Sequence, residues 1–277
     1  MTKILFFDQA HTLNSKSSPL IVGFFDGLHR GHAMLFKRVH ENNFNLLTFI
    51  NVPHKLNDLL YSDQERLADL QELKPQNIFL LDLQQNNMQC MSFIYKLLKQ
   101  IKPSEIIVGS DFKFGKQRLG NIQQLKKYFK VRVIKLNYKY KTSLIKKMII
   151  DGNVHQANKL LINPYTITGV VVHGKKMGRK LNYPTANVHL PKQTVVPKVG
   201  SYVGYTYVDH IRYPSAIFVK DHLLETHMFN FKKSIYGKII SIELQKFHKP
   251  FEQSKNFADL KTIIDQKVKT IRKYFTS

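Results

Sequence analysis

The chain has 277 residues, nearly twice the length of a typical domain of about 150 residues, and this length predicts two domains. Hydrophobic residues make up 43% of it and aromatic residues 12%, which excludes a wholly disordered or low-complexity chain. Its single cysteine, Cys90, excludes an internal disulfide and zinc sites built from several cysteines. The 43 Lys and Arg against 19 Asp and Glu, a net charge of +24, favour an anionic partner.

No stretch approaches the roughly 18 apolar residues of a membrane span, and the apolar run Ile4–Phe7 is too short for a signal peptide. A cytoplasmic protein without a membrane partner is therefore expected. The basic residues are mostly lysines, and they are spread along the chain rather than gathered in one block. This scatter is typical of solvated faces, and small phosphorylated ligands use the same positive field as a nucleic acid.

The first half of the sequence alternates short apolar runs with segments of helical period. The apolar runs predict strands at Lys3–Phe7, Leu20–Gly23, Leu46–Ile50, Asn77–Leu81, Glu105–Gly109 and Val131–Leu136. Helices are predicted at His32–Glu41, from the capping box Ser62-Asp63-Gln64-Glu65 through Leu73, at Ser92–Gln100 and at Asn121–Phe129. This order predicts an α/β fold in which helices cover both faces of a parallel sheet, with ligands bound beyond the carboxyl ends of the strands.

After Asn163-Pro164 the pattern becomes β-rich, so the domain boundary is expected near Leu160–Pro164. Strands are predicted at Thr166–Val172, Tyr202–Val208, Tyr213–Val219, Leu224–Phe231 and Lys238–Lys246, followed by a helix at Phe257–Phe275. Several short strands and a closing helix predict a small antiparallel barrel. Gly169–Lys176 nearly spells a Walker A loop, but Lys176 stands where Ser or Thr is needed and no helix is expected after it.

One motif, Gly23-Phe24-Phe25-Asp26-Gly27-Leu28-His29-Arg30-Gly31-His32, lies between a predicted strand and a predicted helix. Gly31 lets the backbone approach a ligand, and the start of a helix offers unpaired N–H groups. His29 and His32 are three residues apart, so both imidazoles can point to one side of the first turn and donate hydrogen bonds to phosphate oxygens. A polar loop with two solvated histidines is the alternative interpretation.

This motif resembles the ATP-binding signature of the bacterial bifunctional riboflavin kinases/FAD synthetases. Two further segments follow in the family's order. Gly109–Gly120 is similar to the family's Gly-x-Asp-Phe-x-Phe-Gly segment, and Thr142–Lys146 is similar to its Ser-Ser-Thr-x-Ile-Arg segment, with Lys146 in place of the arginine. Phe24 stands where an asparagine is common in the family.

The resemblance implies that residues 1–160 form a Rossmann-like nucleotidyltransferase domain, which transfers an adenylyl group from ATP to FMN and releases pyrophosphate. It implies that His29 and His32 hold the triphosphate as catalytic residues. The other positions that it implies for ligand binding in this half are Gly23, Phe25, Asp26, Gly31, Asp111, Phe112, Ser143 and Lys146.

The segment His173–Asn187 resembles the riboflavin kinase signature, in which a glycine-containing flap leads to Pro184-Thr185-Ala186-Asn187. Thr185 and Asn187 are two apart, so on an extended segment their side chains share a face. A hydroxyl and an amide oxygen are hard ligands suited to Mg²⁺. For these four residues alone, an ordinary proline-initiated turn is the alternative.

The resemblance implies a riboflavin kinase domain at residues 161–277, a small barrel with a C-terminal helix. In it, Gly174 and Gly178 belong to the flap, Thr185 and Asn187 bind ATP and Mg²⁺, and Glu225 is the general base. The family's longer loop before the base is missing, because only Ser215–Leu224 separate Pro214 from Glu225.

The expected function is therefore the conversion of riboflavin and ATP to FMN, and of FMN and ATP to FAD. The expected partners are these small molecules and Mg²⁺, without a nucleic acid. One alternative is a chain that retains a single one of the two activities. The other is a basic nucleic-acid-binding protein that stacks bases on its aromatic barrel strands.

Overall fold

The computed structural model describes residues 2–12, 17–53, 58–137, 139–174 and 177–276. The chain divides into two compact units, Met1–Thr142 and Ser143–Ser277. The second unit begins before the predicted domain boundary, because the helical residues before Pro164 bond to the segments that follow it: the Asn158 side chain donates to the carbonyl of Leu244, and the Lys198 N–H to that of Ile149. None of the described helices is long and apolar enough to cross a lipid bilayer.

The first unit is built on a parallel sheet. Its strands are β1 (Lys3–Phe6), β2 (Leu20–Val22), β3 (Asn45–Ile50), β4 (Asn77–Asp82), β5 (Ile106–Gly109) and β8 (Val131–Ile134), while β6 (Lys113–Phe114) and β7 (Gly120–Asn121) form a separate antiparallel ribbon. Its helices are α1 (Arg30–Phe36), α2 (Asp63–Glu72), α3 (Cys90–Lys96) and α4 (Ile122–Lys126), with a π-helical turn at Leu97–Ile101 and 3-10 turns at Phe7–Thr12 and Lys116–Arg118. The strand order in the sheet is β1-β4-β3-β2-β5-β8.

The four central strands of this sheet, β2 to β5, are buried on both faces. On β2, Leu20 and Val22 enter one hydrophobic core and Ile21 enters the other, and β3, β4 and β5 divide in the same way. Burial on both faces explains why these strands appear in the sequence as continuous apolar runs. All six predicted strands of this half are confirmed, with ends that differ by at most two residues.

The helices of the first unit differ more from prediction. The capping box at Ser62 is confirmed, since the Ser62 hydroxyl accepts from the Glu65 N–H and the Glu65 carboxylate accepts from the Ser62 N–H. The predicted helix His32–Glu41 instead ends at Phe36, and its following turns lead to a left-handed residue, Asn42. The predicted helix at residues 92–100 starts at Cys90 and changes to π-helical geometry.

The second unit is a closed barrel. Its strands are β9 (Thr166–Val172), β10 (Ala186–His189), β11 (Gly200–Val208), β12 (Ile211–Lys220), β13 (Leu223–Met228) and β14 (Ile239–Pro250), and its helices are α5 (Thr142–Ile150), α6 (Val154–Leu160), α7 (Met177–Lys180) and α8 (Phe257–Lys273). The strands close in the order β10-β13-β12-β11-β14-β9, and every pair is antiparallel. The predicted barrel and closing helix are confirmed, whereas the single turn α7 occurs where no helix was expected.

Helix α8 covers the outside of the barrel. Its Val268 and Ile271 pack against Val203 and Ala216 of β11 and β12. Because side chains alternate along a strand, Thr206 of β11 points to the opposite face, where it hydrogen-bonds to Ser215 and Thr226 at 2.9 and 2.6 Å. All three are fully buried.

Candidate functional site

Strands β2 and β5 are neighbours at the point where the strand order of the sheet reverses, with β3 and β4 on one side and β8 on the other. The segment Gly23–His32 leaves the carboxyl end of β2, and the segment that contains Asp111 and Phe112 leaves the carboxyl end of β5. Ligands of open α/β sheets bind at such a reversal. Two of the motifs found in the sequence therefore lie at one edge of the sheet.

The two histidines of this edge stack on each other. His29 is the N-cap of α1, and its ring centroid lies 3.7 Å from that of His32. The Nδ1 atom of His29 accepts a hydrogen bond from the backbone N–H of His32 at 3.2 Å, so the proton of the neutral His29 ring is on Nε2. His29 is 5% exposed. This burial lowers its pKa to about 4, against smaller opposing effects of a backbone hydrogen bond and the Asp26 carboxylate.

Phe25 supports His32 from a second side. Its φ of 54° lies in the left-handed region, which bulky residues rarely adopt. Its buried ring is edge-on to the imidazole of His32 at a centroid distance of 5.3 Å, and a Cβ added to Gly23 would come within 2.6 Å of the same ring. A Cβ added to Gly31 would come within 3.0 Å of the His29 ring. The aromatic ring and the bare glycines together define where the two imidazoles lie.

Asp26 is buried and is directed towards backbone groups. Its Oδ1 accepts hydrogen bonds from the N–H groups of Leu60 and Tyr61 at 2.8 and 3.3 Å. These bonds join the segment Gly23–His32, named the histidine segment below, to the residues that lead into α2. The predicted contact of Asp26 with ATP stays a prediction.

The remaining residues predicted for the first site lie on two other elements. Asp111 is exposed, and Phe112 is half-buried with its ring stacked on Phe114 at 5.9 Å. Ser143 and Lys146 lie on α5, which belongs almost wholly to the second unit. Ser143 is exposed, whereas Lys146 is 6% exposed.

The residues predicted for the kinase reaction come together on the barrel. Asn187 of β10 lies directly opposite Glu225 of β13 in the antiparallel ladder. Such partners project from the same face of a sheet, with Cβ atoms about 5 Å apart. The hydroxyl of Thr185, just before β10, donates a hydrogen bond to Oε2 of Glu225 at 3.3 Å. Thr185, Asn187 and Glu225 form the kinase cluster.

The two flap glycines flank the kinase cluster. A Cβ on Gly174 would come within 2.4 Å of the Nδ2 atom of Asn187. A Cβ on Gly178 would come within 2.3 Å of the Tyr183 carbonyl oxygen and 3.2 Å of the Thr185 hydroxyl. A side chain at Gly178 would therefore collide with backbone, whereas one at Gly174 would displace the end of the Asn187 side chain. Lys175 and Lys176, which lie between them in the sequence, are outside the described residues.

A tight hairpin stands where the family has its longer loop. Strands β12 and β13 are joined by Asp221 and His222 alone, since Lys220 pairs with Leu223. The same register pairs Glu225 with Phe218. The short connection therefore keeps Glu225 within a continuous ladder.

Two further residues contact these sites and were not predicted from the sequence. His227 follows Glu225 by two residues on β13, and its Nδ1–H donates to the carbonyl oxygen of Pro184 at 2.9 Å. Burial lowers the pKa of His227, although the bond to Pro184 opposes that shift. The alternation of strand residues, which places His227 on the same face as Glu225, is the signal that could have found it. The other is Arg66 of α2, whose guanidinium donates to the carbonyl of Phe24 in the histidine segment.

Comparison with known proteins matches both halves of the chain. A family model described as FAD synthetase matches residues 12–149, and one described as riboflavin kinase matches residues 161–275. A crystal structure described as a macrolide-efflux protein from Streptococcus pneumoniae superposes with a TM-score of 0.82 at 24% identity, covering 98% of this chain and 99% of that one. This likeness establishes the fold.

Two relatives extend the match. The trifunctional protein RibF/MnmA of Mycoplasmoides gallisepticum is 37% identical over 94% of this chain, which spans only 40% of that relative's length. The bifunctional riboflavin kinase/FMN adenylyltransferase of Mycoplasma pneumoniae is 30% identical over 92% of this chain and 97% of its own length. With both domains present in the expected order, the chain belongs to the family of bifunctional riboflavin kinases/FMN adenylyltransferases.

Proposed function

We propose that the chain makes FMN from riboflavin with its riboflavin kinase domain and FAD from FMN with its FAD synthetase domain, using ATP in both reactions. One observation carries the proposal: two groups of side chains with suited chemistry lie on one chain, each within the segment that the corresponding family model matches. They are the stacked pair His29 and His32 and the kinase cluster. Both reactions move part of ATP to a flavin, so the protein is a transferase.

In the kinase reaction Glu225 acts as the general base. Its carboxylate accepts the proton of the riboflavin 5′-hydroxyl while that oxygen bonds to the γ-phosphorus of ATP and the bond from the γ-phosphorus to ADP breaks. Glu225 is half-buried, so a substrate hydroxyl can reach it. The hydrogen bond from Thr185 orients one of its oxygens.

Thr185 and Asn187 fit Mg²⁺ by their donor chemistry. The Thr185 hydroxyl directs its proton to Glu225, which leaves its oxygen lone pairs for a cation. Within the described residues there is no cluster of three or more His, Cys, Asp or Glu, so these two oxygens would share the ion with water and ATP phosphates, as is usual for Mg²⁺. When bound, the ion neutralises charge on the phosphoryl group being transferred.

In the adenylyl transfer the FMN phosphate is itself the nucleophile. One of its oxygens bonds to the α-phosphorus of ATP as the bond to pyrophosphate breaks. His29 donates its Nε2–H to a phosphate oxygen of ATP, and its bond from the His32 backbone holds the ring in that tautomer before substrate binds. The protein's contribution is positioning and charge stabilisation.

A chain with adenylyl transfer alone is the second candidate. The two-residue hairpin at Asp221-His222 favours it, because a loop that the family places before the base is missing. Against it, the hairpin leaves Glu225 paired with Asn187 across the ladder. The preserved kinase cluster supports retention of both activities.

The test supplies riboflavin or FMN separately, with Mg-ATP, to the full-length protein and identifies the flavin products by chromatography. Wild type is expected to form FMN from riboflavin and FAD from FMN. His29→Ala combined with His32→Ala should abolish FAD formation and spare FMN formation, and Glu225→Gln should do the reverse. Each variant is thus the folding control of the other. A folded double-histidine variant with unchanged FAD output, or Glu225→Gln with an unchanged kinase rate, contradicts the assignment.

Two further expectations stay predictions. They are a cytoplasmic location and the lack of a nucleic-acid partner. Both fit a protein whose substrates are small metabolites. Cell fractionation with immunodetection tests the location. Recovery of the protein in the membrane fraction would contradict the expected cytoplasmic location.

A further inference from the structure

Arg66 is the largest fully buried side chain of the described residues, with 1% of its surface exposed. Its Nη1 donates to the carbonyl oxygen of Phe24 and, at 2.8 Å, to the hydroxyl of Thr48. Its Nη2 donates to the carbonyl oxygen of Phe49 and to Oδ1 of Asp63, each at 2.7 Å. One guanidinium therefore connects the histidine segment, the carboxyl end of β3 and the start of α2.

Burying this guanidinium is expected to lower the stability of the fold more than an ordinary structural contact would. A buried charge lowers stability unless it is paired and fully hydrogen-bonded. Arg66 has one acidic partner, Asp63, whose side chain is 33% exposed. Its Nε atom is buried and has no hydrogen-bond partner among the described residues. An unsatisfied buried donor in a native fold calls for an explanation, and function is one.

The explanation lies in the residues that Arg66 holds. Its guanidinium carbon is 4.5 Å from the ring centroid of Phe24, so both the carbonyl and the ring of Phe24 contact one cation. The next residue is Phe25, whose φ of 54° is unfavourable for a bulky side chain. The ring of Phe25 in turn lies against His32. Arg66 thus reaches the histidine pair through two consecutive residues.

We propose that Arg66 is a positioning residue for adenylyl transfer: it clamps Phe24 and so keeps Phe25 in the left-handed conformation that sets His32 against His29. The proposal rests on the proposed function of the first site. The proposal also gives a reason for an aromatic residue at Phe24, a position where an asparagine is common in the family. The aromatic ring gives the buried cation a contact that replaces a polar side chain.

The experiment compares Arg66→Met and Arg66→Lys with wild type in the full-length protein. FAD formation from FMN is measured for kcat and for KM of ATP, and FMN formation by the same molecules is the internal control. Arg66→Met is expected to lower kcat/KM for FAD formation about 100-fold, since a misplacement of about 1 Å in an active site has effects of this size. The kcat/KM of Arg66→Lys for FAD formation should lie between those of wild type and Arg66→Met. A lysine keeps the positive charge, but its ammonium group cannot bridge the same oxygens in a fixed geometry. The kinase rate should not change.

A second readout separates positioning from general loss of stability. The imidazole resonances of His29 and His32, recorded by NMR on folded protein, should shift in Arg66→Met because the rings no longer stack. Arg132→Met is the matched control, since it removes a guanidinium of the same unit that is bonded twice to Glu105, at 3.0 and 3.1 Å, away from the histidine segment. It should leave both kcat/KM and the resonances unchanged.

Unchanged resonances and unchanged kcat/KM in folded Arg66→Met overturn the proposal, and so does an equal effect of Arg132→Met. If Arg66→Met does not fold, Arg66→Lys decides, because it keeps a buried cation and loses the guanidinium fork that holds Phe24: shifted His32 resonances support the clamp and unshifted ones overturn it. If wild type makes no FAD, the proposed function fails, and the resonances still test the clamp.

Discussion

At the scale of single residues, the protonation of His29 links the site to the stability of its unit. Burial lowers the His29 pKa to about 4, so between about pH 4 and 6.5 the unfolded chain binds more protons than the folded one. Acidification through this window therefore destabilises the fold, by about 3 kcal/mol at most, since one pKa unit corresponds to about 1.4 kcal/mol. Urea unfolding at several pH values measures this loss, and His29→Asn should reduce it.

Asp69 on α2 has the opposite effect. Burial, reinforced by the carboxylates of Glu72 and Glu65, raises its pKa to about 6, so the folded state gains stability as the pH falls from about 6 towards 4. In wild type the two groups partly cancel in that range. Asp69→Asn should therefore make the acid loss steeper than in wild type. An identical pH dependence in both proteins would contradict this account.

A substitution at Gly174 should lower the kinase activity without lowering the stability of the fold. In Gly174→Ala the new Cβ overlaps the Nδ2 atom of Asn187, which is the far end of a side chain and can move. We expect folding to be preserved and kcat/KM for FMN formation to fall about tenfold or more, because the side chain proposed to bind Mg²⁺ is displaced. Steady-state kinetics of both reactions measure this effect. FAD formation from FMN is the control, and an unchanged kinase rate is the contrary outcome.

The residues of both sites differ in how well sequence could identify them. Thr185 and Asn187 come from a motif, and Glu225 comes from the family resemblance. The ladder register explains why Asn187 and Glu225 meet, and a hydrogen bond joins Thr185 to Glu225. Arg66 and His227 gain their roles from contacts with elements distant in the sequence. An arginine within a helix or a histidine on a strand does not by itself predict a distant partner. A single sequence therefore contains only weak signals for the roles of Arg66 and His227.

At the scale of elements, the capping box of α2 supports the helix that carries Arg66. The Ser62 hydroxyl accepts from the Glu65 N–H at 3.3 Å, and the Glu65 carboxylate accepts from the Ser62 N–H at 2.9 Å. Ser62→Ala should lower the free energy of unfolding of the first unit by about 1 kcal/mol. Denaturant unfolding measures it. Ser92→Ala, at an exposed position of α3 that is not a cap, should change it by less than about 0.5 kcal/mol, and equal effects of the two would contradict the capping role.

Strands were predicted more closely than helices, for a physical reason. Strands buried on both faces stand out as apolar runs, as residues 78–81 of β4 do. Helix α5 was not predicted. Its buried residues are Ile145, Lys146 and Ile149, and a lysine is not expected on the buried face of a helix. Strands β6 and β7 have two residues each, too few to show an alternation.

At the scale of the whole molecule, most of the 43 Lys and Arg residues behind the net charge of +24 have no role in the two proposed sites. If the excess lysines only solvate the surface, a single-stranded oligonucleotide should show no measurable binding at about physiological salt. Fluorescence anisotropy at several salt concentrations measures this. Tight binding whose log K falls linearly with log salt would instead support the nucleic-acid alternative.

The ladder between β10 and β13 also limits how the kinase half can change in length over evolution. Inserting one residue into either strand before Asn187 or Glu225 would turn that side chain to the other face of the sheet and separate the proposed base from the proposed Mg²⁺ ligands. The turn Asp221-His222 lies outside this constraint, because residues added there leave the pairing of the strands intact. Natural variation in chain length should therefore concentrate at the hairpin tips and be absent between Thr185 and Val188. The short turn of this protein is one allowed length, and the distance from Glu225 to Asn187 does not depend on it.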